Sequence, residues 1–274
     1  MRKLILLNVC CMVLFISCQR EVALITQDPL VPDSTNGELL VRYAEVWNNA
    51  DSLITTYEYN DEKLVIAENS LSGSGYIHYD RNSRGKIVKI ETWLTNADTA
   101  FTNVFYANED SGKINYTLSY ATHGGSKILD SSVYIYDNGK VIKILFYSFE
   151  ADTAFLGSYY TWNYDANGNI LQLNSYTRND DGSYGFNIGY DFEYDDKINP
   201  FFSHDDVRMV RSWYISSSPN NLTKQTNHYG EPPSHEDDYI ALVYEYDADG
   251  KPYASARTGP AIAPAMVQSR YYYK

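Results

Sequence analysis

Cysteine is scarce in this chain of 274 residues, which contains three, at positions 10, 11 and 18. Cys10 and Cys11 lie within an apolar run near the N-terminus, so removal of that run would leave Cys18 alone. No disulfide could then form inside the remaining chain. The sequence therefore excludes a small exported domain stabilised by disulfides, and the fold has to rest on a hydrophobic core.

Basic residues are also few, since 22 Lys and Arg stand against 35 Asp and Glu and the formal net charge is −13. Loss of an N-terminal segment containing Arg2 and Lys3 would take the net charge to −15. Such a surface repels phosphate backbones and anionic headgroups. We therefore expect no nucleic-acid partner, and membrane attachment has to come from something other than a basic patch.

The apolar run from Leu4 to Ser17 is too short to span a bilayer as a helix, which takes about 20 residues. Preceded by Arg2 and Lys3, it has the size and flanks of a signal peptide over residues 1–17. Its end, Phe15-Ile16-Ser17-Cys18, resembles the lipobox of bacterial lipoproteins. The resemblance implies cleavage before Cys18, acylation of that cysteine and attachment to the outer membrane. An ordinary cleaved signal with an incidental cysteine is the alternative.

Helical periodicity is missing from the rest of the chain, apart from a short helical turn predicted within residues 199–209. Residues 18–37 include Pro29 and Pro32, show no periodicity, and are predicted to form a lipidated N-terminus and flexible tether. Residues 38–274 are predicted to form one domain of short repeats. The copies are YEYNDEKL from Tyr57, YIHYDRNSRGKIVKI from Tyr76, VFYANEDSGKI from Val104, YIYDNGKVIKI from Tyr134, WNYDANGNILQL from Trp162, FEYDDKI from Phe192 and YEYDADGK from Tyr244.

Each copy has the chemistry of a β-hairpin, because Asp or Asn begins a turn and Gly takes its left-handed position. The last aromatic residues fall at 59, 79, 106, 136, 164, 194 and 246, and a degenerate copy is expected in the final gap near residues 213–223. Tyr57 and Tyr59 flank Glu58 with the period of two expected when one face is buried. The aliphatic pairs that follow the turns are predicted to share that buried face: Val88 with Ile90, Ile142 with Ile144, and Leu171 with Leu173.

The copy at Gly112 is out of phase, because its apolar residues Ile114, Tyr116, Leu118 and Tyr120 stand one place away from those of the other copies. A slip of one residue reverses the faces of a strand, so a bulge or altered loop is expected there. Two strands per copy, with one before and one after them, make about sixteen antiparallel strands. The prediction is an all-β meander curled into a trough or incomplete barrel.

The repeats resemble YD repeats, the tyrosine-aspartate hairpins of Rhs-type shell proteins, most closely at YDANGNI from Tyr164 and YDADGK from Tyr246. The domain also resembles small YD-repeat lipoproteins of Bacteroidota-type cell envelopes through ELLVRYAEVW from Glu38, YDDKINPF from Tyr194 and SPNNLTK from Ser218. This resemblance implies a secreted or outer-membrane β-meander. It transfers no catalytic residue.

Several residues were considered as sites of chemistry, and no cofactor and no metal site is predicted. Asp165 with Asn167 and Asp247 with Asp249 offer oxygens two residues apart, as calcium loops do, but turn formation explains them without a metal. The histidines at 78, 123, 204, 228 and 235 lack zinc-motif spacing, including His204-Asp205-Asp206 and His235-Glu236-Asp237-Asp238. No GxSxG, HExxH or phosphate loop is present, so no catalytic residue is assigned.

Aromatic residues are unusually frequent, with 27 Tyr, 10 Phe and 4 Trp. Exposed rings can stack on sugars, although core packing explains most of these positions better. We predict a monomeric, non-enzymatic envelope lipoprotein that binds a glycan or a protein of the same envelope. The alternatives are a polysaccharide hydrolase with two opposed carboxylates and a subunit of an outer-membrane complex. The tryptophans considered for sugar stacking are Trp47, Trp93, Trp162 and Trp213.

Overall fold

The computed structural model describes residues 39–47, 51–71, 75–93, 99–108, 112–123, 126–150, 153–204, 217–230, 238–260 and 267–274. Cys18, the predicted signal peptide and the predicted tether lie outside them. The described strands are β1 (Leu40–Trp47), β2 (Asp51–Tyr59), β3 (Val65–Ser70), β4 (Gly75–Arg81), β5 (Ile87–Trp93), β6 (Thr99–Tyr106), β7 (Ile114–His123), β8 (Ser126–Asp137), β9 (Lys140–Glu150), β10 (Thr153–Tyr164), β11 (Ile170–Arg178), β12 (Tyr184–Ile198), β13 (Asn220–Tyr229), β14 (Tyr239–Tyr246), β15 (Pro252–Thr258) and β16 (Val267–Tyr273). The predicted all-β antiparallel meander is confirmed.

The sheet closes into a complete barrel, because β1 pairs with β16 and every other strand pairs with its neighbours in sequence. Tyr43 lies opposite Tyr271, and the backbones of Leu39 and Lys274 exchange hydrogen bonds. The expected trough or incomplete barrel is therefore wrong. An open sheet would leave unpaired N–H and C=O groups along both edge strands, and closure pairs them with each other.

Side chains alternate between the lumen and the outer wall of the barrel. Tyr57 and Tyr59 pack on the buried cluster, whereas Glu58 between them is exposed, as the alternation predicts. Only the inner side of a closed barrel can bring side chains from so many strands together, so this cluster lies in the lumen. Its fully buried members are Val65, Tyr79, Ile87, Ile90, Val104, Ile114, Tyr134, Val141, Ile144, Trp162, Ile170, Leu173, Phe192 and Leu222.

A β-bulge next to the turn is present in all seven hairpins whose copies were identified in the sequence. On β5 the exposed fractions are 0% for Ile87, 37% for Val88 and 5% for Ile90. The prediction that Val88, Ile142 and Leu171 share the buried face of Ile90, Ile144 and Leu173 is wrong. The extra residue in each bulge resets the alternation and leaves the first of each pair on the outer wall.

The bulge expected at the Gly112 copy is thus a feature of every copy, and the phase change predicted there is wrong, because its buried residues stand two and five places after the turn glycine, as Ile87 and Ile90 do after Gly85. Ile114 is buried after the turn, and Thr117 is buried further along β7. Tyr116, whose parity is opposite to that of Thr117, faces outward and stacks on Phe105 of β6. Tyr116 and Tyr120 therefore add aromatic side chains to the outer wall of a strand whose buried positions match those of the other copies.

Tyrosine is required next to the turns because its hydroxyl reaches the backbone of the preceding hairpin. The hydroxyl of Tyr164 donates to the carbonyl of Val141 at 2.6 Å, and Arg81 donates to the carbonyl of Val65 in the same way. Arg81, rather than Tyr79, is therefore the second copy's equivalent of these tyrosines. The other pairs are Tyr59 with Leu40, Tyr106 with Ile87, Tyr194 with Ile170 and Tyr273 with Pro252.

β12 pairs with β13, and the insertion between them includes residues 205–216, which lie outside the described residues together with part of the degenerate copy expected near residues 213–223. A short 3₁₀ helix, Pro200–His204, begins this insertion where a helical turn was predicted. The ring of Phe201 lies 5.3 Å from that of Tyr43. Because Tyr43 lies on the lumen side of β1, Phe201 covers part of the lumen at the end of the barrel where the hairpin turns of the repeats lie.

The two ends of the barrel differ in what they contain. The turn end holds the hairpin turns of the repeats and the start of β1 at Leu40, which accepts the hydrogen bond from Tyr59. The loop end is opposite and holds the connections between successive repeats. No helix among the described residues is long and apolar enough to cross a membrane.

Candidate functional site

The lumen contains carboxylates, as a polysaccharide hydrolase would require, but the two buried ones, Glu45 and Glu68, have partners of their own. Glu45 accepts hydrogen bonds from Tyr43 and Arg257, both at 2.6 Å. Burial lowers the pKa of Arg257, but Glu45 together with Tyr43, Tyr271 and Tyr244 outweighs this effect and the net shift is upward. Glu68 accepts from the hydroxyl of Tyr79 at 2.6 Å. These interactions hold Glu45 and Glu68 in structural roles within the lumen.

The acidic turns use their oxygens to form the turns. Asp165 accepts hydrogen bonds from the backbone N–H of Asn169 at 2.8 Å and from its side-chain amide at 2.9 Å. Burial alone would raise the pKa of Asp165, but these bonds bring it below its ordinary value. Asp247 accepts from the N–H groups of Asp249 and Lys251. Across the part of the chain that the structure describes, no group of three or more His, Cys, Asp or Glu residues is arranged to hold a metal ion.

Two of the five histidines have described contacts, and both lie on the outer wall. His78 pairs with Asp80 at 3.2 Å, and His228 pairs with Asp191 at 2.7 Å. The side chains of His123 and His204, and the whole of His235, lie outside what the structure describes. The two described histidines belong to separate ion pairs on different strands, β4 and β13.

The tryptophans considered for sugar stacking separate into different environments. Trp162 is 6% exposed and belongs to the lumen cluster, whereas Trp93 is 38% exposed. Trp93 lies three residues after the buried Ile90, and this odd spacing places it on the outer wall. The side chain of Trp47 and all of Trp213 lie outside the described residues. Trp93 is therefore the tryptophan that the described structure leaves open to a ligand.

Tyr76 is the aromatic neighbour of Trp93 on the outer wall. The two residues face each other across β4 and β5, with ring centroids 5.2 Å apart and planes inclined by 40°. Tyr76 also stacks on His78, at 6.3 Å between centroids. The register partner of Trp93 on its other side is Thr99, which is too small to cover an indole ring. We call Tyr76 and Trp93 the aromatic pair.

Polar side chains surround the aromatic pair. In its own row across the strands lie Thr56 and Asn69 on one side and Thr99 on the other. The next row toward the turn end contains Glu58, Ala67, His78 and Glu91. An apolar ring face bordered by hydroxyl, amide and carboxylate groups is the arrangement that can hold a sugar, which has C–H faces and hydroxyl edges.

The electrostatic field at this site is negative. Burial raises the pKa of the Tyr76 hydroxyl, and the charge of Glu58, two strands away in the next row, raises it further. Glu91 pairs with Lys89, and their side chains are 20% and 35% exposed. A carboxylate is a hydrogen-bond acceptor only, so the site can accept hydrogen bonds from ligand hydroxyls.

A second aromatic surface crosses the outer wall from β6 to β12. We call it the aromatic row, and its members are aligned by strand pairing: Phe105, Tyr116, Val133, Leu145, Tyr159, Tyr176 and Phe186. Two pairs of neighbouring rings in this row stack face to face, Phe105 with Tyr116 and Tyr159 with Tyr176. The ring of Tyr159 stacks on Tyr176 at 4.7 Å, and Lys143 covers it at 3.8 Å from the centroid. Its faces are already occupied, so Tyr159 is poorly suited to stack on a sugar.

The sequence pattern identified Trp93 as a candidate for sugar stacking, but it placed Tyr76 in a repeat whose aromatic residues were expected to form the core. The signal that separates them from the core is parity, since Tyr76 precedes the buried Tyr79 by three residues and Trp93 follows Ile90 by three. An aromatic residue at an odd spacing from a core residue of the same uninterrupted strand faces outward. The outward orientation of Glu58 and Glu91 was predictable from the same alternation. Their position around one site depends on the order of the strands in the sheet, which the alternation does not reveal.

No protein-family model and no curated protein matches the chain. Among solved structures it is similar to a porin-like protein from Bacteroides uniformis, with 10% identity and a TM-score of 0.51 over 86% of this chain and 98% of that one. A porin-like protein from Bacteroides vulgatus gives 12% identity and 0.52 over 86% and 99%. These likenesses show the fold alone. The Photorhabdus luminescens Tc holotoxin pore also matches at 11% identity over 82% of this chain and 14% of that one, but a TM-score of 0.27 supports no inference.

Proposed function

We propose that this protein is a non-catalytic glycan-binding lipoprotein of the bacterial cell envelope, anchored by lipid on Cys18. The observation that carries the proposal is the aromatic pair, Tyr76 and Trp93, exposed on the outer wall beside Asn69, Glu58 and Glu91. Aromatic stacking and a few oriented polar groups are what sugar recognition requires. The porin-like Bacteroides structures support an envelope setting for this fold.

The geometry of the chain agrees with a lipid anchor. β1 begins at Leu40 at the turn end, whereas Trp93 ends β5 at the loop end. The predicted tether would therefore join the barrel at its turn end. The aromatic pair would then lie at the far end, where polymers outside the membrane can reach it.

The outer wall supports anchoring by lipid rather than insertion into the bilayer. A transmembrane barrel presents an outward apolar band about 25 Å tall. Here the outer wall carries charged pairs within its strands, including Glu91 with Lys89 on β5 and Glu193 with Lys224 between β12 and β13. The buried apolar cluster lies in the lumen, and the apolar side chains of the outer wall, such as Val88 and Phe105, share that wall with these charged pairs. This distribution is stable when water, not lipid, surrounds the barrel.

The non-catalytic part of the proposal rests on how the acids are placed. Glycosidases hold two carboxyl groups roughly 5 to 10 Å apart across the scissile bond. Glu58 and Glu91 are separated by three strand intervals of about 4.8 Å, or about 14 Å along the wall. In the lumen, Glu45 is held by Arg257 and Glu68 by Tyr79.

Affinity electrophoresis in native gels containing soluble polysaccharides tests the binding site. The lipid-free chain from Gln19 contains every strand of the barrel and is the sample. Retardation by at least one polysaccharide is expected, and Trp93→Ala should abolish it. Phe105→Ala is the matched control, because Phe105 is 37% exposed on another part of the outer wall and Trp93 is 38% exposed. Equal loss in both variants, or no retardation of the unmodified chain by any polysaccharide, would contradict glycan binding at this site.

Metabolic labelling with palmitate tests the anchor separately. The full chain should incorporate label and fractionate with membranes, and Cys18→Ala should do neither. An unlabelled full chain recovered in the soluble fraction would remove Cys18 from the proposal and leave the binding site unaffected.

A second candidate function, as a subunit of an envelope complex, is favoured by the aromatic row. A row of aromatic and aliphatic side chains bordered by charged pairs, here Lys89 with Glu91 and His228 with Asp191, is typical of protein interfaces. If this function holds, Tyr116→Glu should release a partner that cross-linking in intact cells joins to the wild-type protein, whereas Trp93→Ala should keep it. Release by both variants, or by neither, would contradict docking at the aromatic row.

A further inference from the structure

We infer that the site around Tyr76 and Trp93 selects uncharged glycans and excludes acidic ones, with Glu58 and Glu91 as the residues that determine this specificity. The inference rests on the proposed glycan-binding function. It follows from the kinds of charged groups that surround the aromatic pair and from the partners those groups already have.

Three carboxylates lie near the aromatic pair on the same wall. Glu58 and Glu91 are in the next row toward the turn end, and Asp80 is one row further. Glu58 is two strands from Tyr76. A sugar stacked on this pair would therefore bring its substituents within a few ångströms of a negative charge. Hydroxyl groups can donate to these acceptors, but a carboxylate, sulfate or phosphate on the sugar cannot.

The basic groups near the aromatic pair are engaged by carboxylates or rings. Lys89 pairs with Glu91, and its ammonium also lies 4.8 Å from the ring centroid of Phe101. His78 pairs with Asp80. Arg42, opposite Thr56 on β1, stacks over Tyr272 at 4.9 Å from the ring centroid. An acidic sugar would have to displace a carboxylate to reach Lys89 or His78. Arg42, whose Nε has no hydrogen-bond partner among the described residues, lies three strands from Tyr76 in the same row.

The rest of the molecule adds to the effect, since the chain carries a net charge of −13. Long-range repulsion from that charge is screened within a Debye length of about 8 Å at physiological ionic strength. Repulsion from Glu58 acts at shorter range and is screened less. Specificity of this kind comes from an unfavourable contact with the wrong ligand as much as from favourable contacts with the right one.

Affinity electrophoresis with matched neutral and acidic polysaccharides tests the inference. The neutral probes are a β-glucan, a mannan and a galactan, and the acidic probes are polygalacturonate, alginate and hyaluronan, at low and at physiological salt. The lipid-free chain from Gln19 should be retarded by at least one neutral polymer and, at the same salt concentration, much more weakly by each of the acidic ones. Retardation by no polymer would refute the proposed function, whereas equal retardation by neutral and acidic polymers would refute the charge selectivity alone.

Glu58→Gln identifies the residue responsible, because it removes one charge and leaves the Lys89–Glu91 pair intact. At low salt it should strengthen binding of acidic polymers by about two- to five-fold per charge removed, with little change for neutral ones. The double variant with Glu58→Gln and Glu91→Gln should bind acidic polymers more strongly still. The control is Glu193→Gln with Glu245→Gln, which removes two exposed charges from the outer faces of β12 and β14. An equal gain in the control would assign the selectivity to net charge and overturn the role of Glu58 and Glu91.

Discussion

Trp93 and Trp162 occupy opposite surfaces of the same sheet. Trp162 is 6% exposed among aliphatic and aromatic neighbours in the lumen, and Trp93 is 38% exposed on the outer wall beside Tyr76. Both residues lie within hairpin repeats of similar sequence. In this fold, an odd or even position along the strand decides whether an aromatic side chain faces the lumen, where it is structural, or the outer wall, where it is available for binding. The type of aromatic residue does not decide it.

The largest expected difference between the two tryptophans concerns stability. Trp162→Ala should lower the free energy of unfolding by about 3 to 5 kcal/mol, because it leaves a cavity in the lumen cluster. Trp93→Ala should lower it by less than about 1 kcal/mol, since little buried contact is lost. Urea denaturation monitored by circular dichroism measures both. Similar losses would show that Trp93 also belongs to the core.

Trp162→Phe sharpens that result. The indole N–H of Trp162 is buried and has no hydrogen-bond partner among the described residues. Phenylalanine would keep much of the apolar contact and remove the unsatisfied donor, which itself costs about 1 to 3 kcal/mol. Its loss of stability should therefore be well below that of Trp162→Ala, and an equal loss would assign a structural role to the N–H group.

Binding should show the opposite order. Trp93→Ala should weaken glycan binding at least about ten-fold, which corresponds to about 1.4 kcal/mol. Trp162→Phe should leave the affinity within about two-fold, because the lumen does not contact the proposed ligand. Isothermal titration with the polysaccharide that retards the chain most strongly measures both values. A stronger effect from Trp162→Phe would place the ligand in the lumen.

A smaller contrast separates tyrosines of the two surfaces. The hydroxyl of Tyr164 donates to the carbonyl of Val141, so Tyr164→Phe should cost about 1 kcal/mol of stability. Tyr116 has its ring on the outer wall, and Tyr116→Phe should cost only a few tenths of a kcal/mol at most. The urea midpoints of the two variants test this, and equal midpoints would show that the hydrogen bond of Tyr164 does not stabilise the fold.

The smallest expected effect concerns the acidic turns. The pKa of Asp165 is below its ordinary value of 3.8 in the folded protein. Its ionised form therefore stabilises the fold above pH 3.8, and that contribution is lost as the pH falls below this value. Asp165→Asn should remove this part of the pH dependence in thermal unfolding between pH 2 and 6. A calcium-dependent rise in melting temperature that Asp165→Asn abolishes would instead revive the metal site.

Much of the fold was predictable because its rules are local. The alternation of Tyr57, Glu58 and Tyr59 gave the inner and outer faces, and the Asp and Gly positions gave the turns. Val88 was assigned to the wrong face because a bulge depends on how two strands align, and the residue pattern of one strand does not reveal it. Closure was missed for a related reason, since pairing between β1 and β16 joins residues at opposite ends of the domain.

The sequence by itself determined the meander, the number of strands, the turn chemistry and the predicted anchor at Cys18, because each depends on neighbours along the chain. Only the tertiary structure decided that the barrel closes, that Arg81 replaces a tyrosine, and that Asn69, Glu58 and Glu91 meet around Tyr76 and Trp93. These residues come from four consecutive strands. Their convergence depends on the register of every hairpin between them, and strand register is fixed by packing against the lumen cluster.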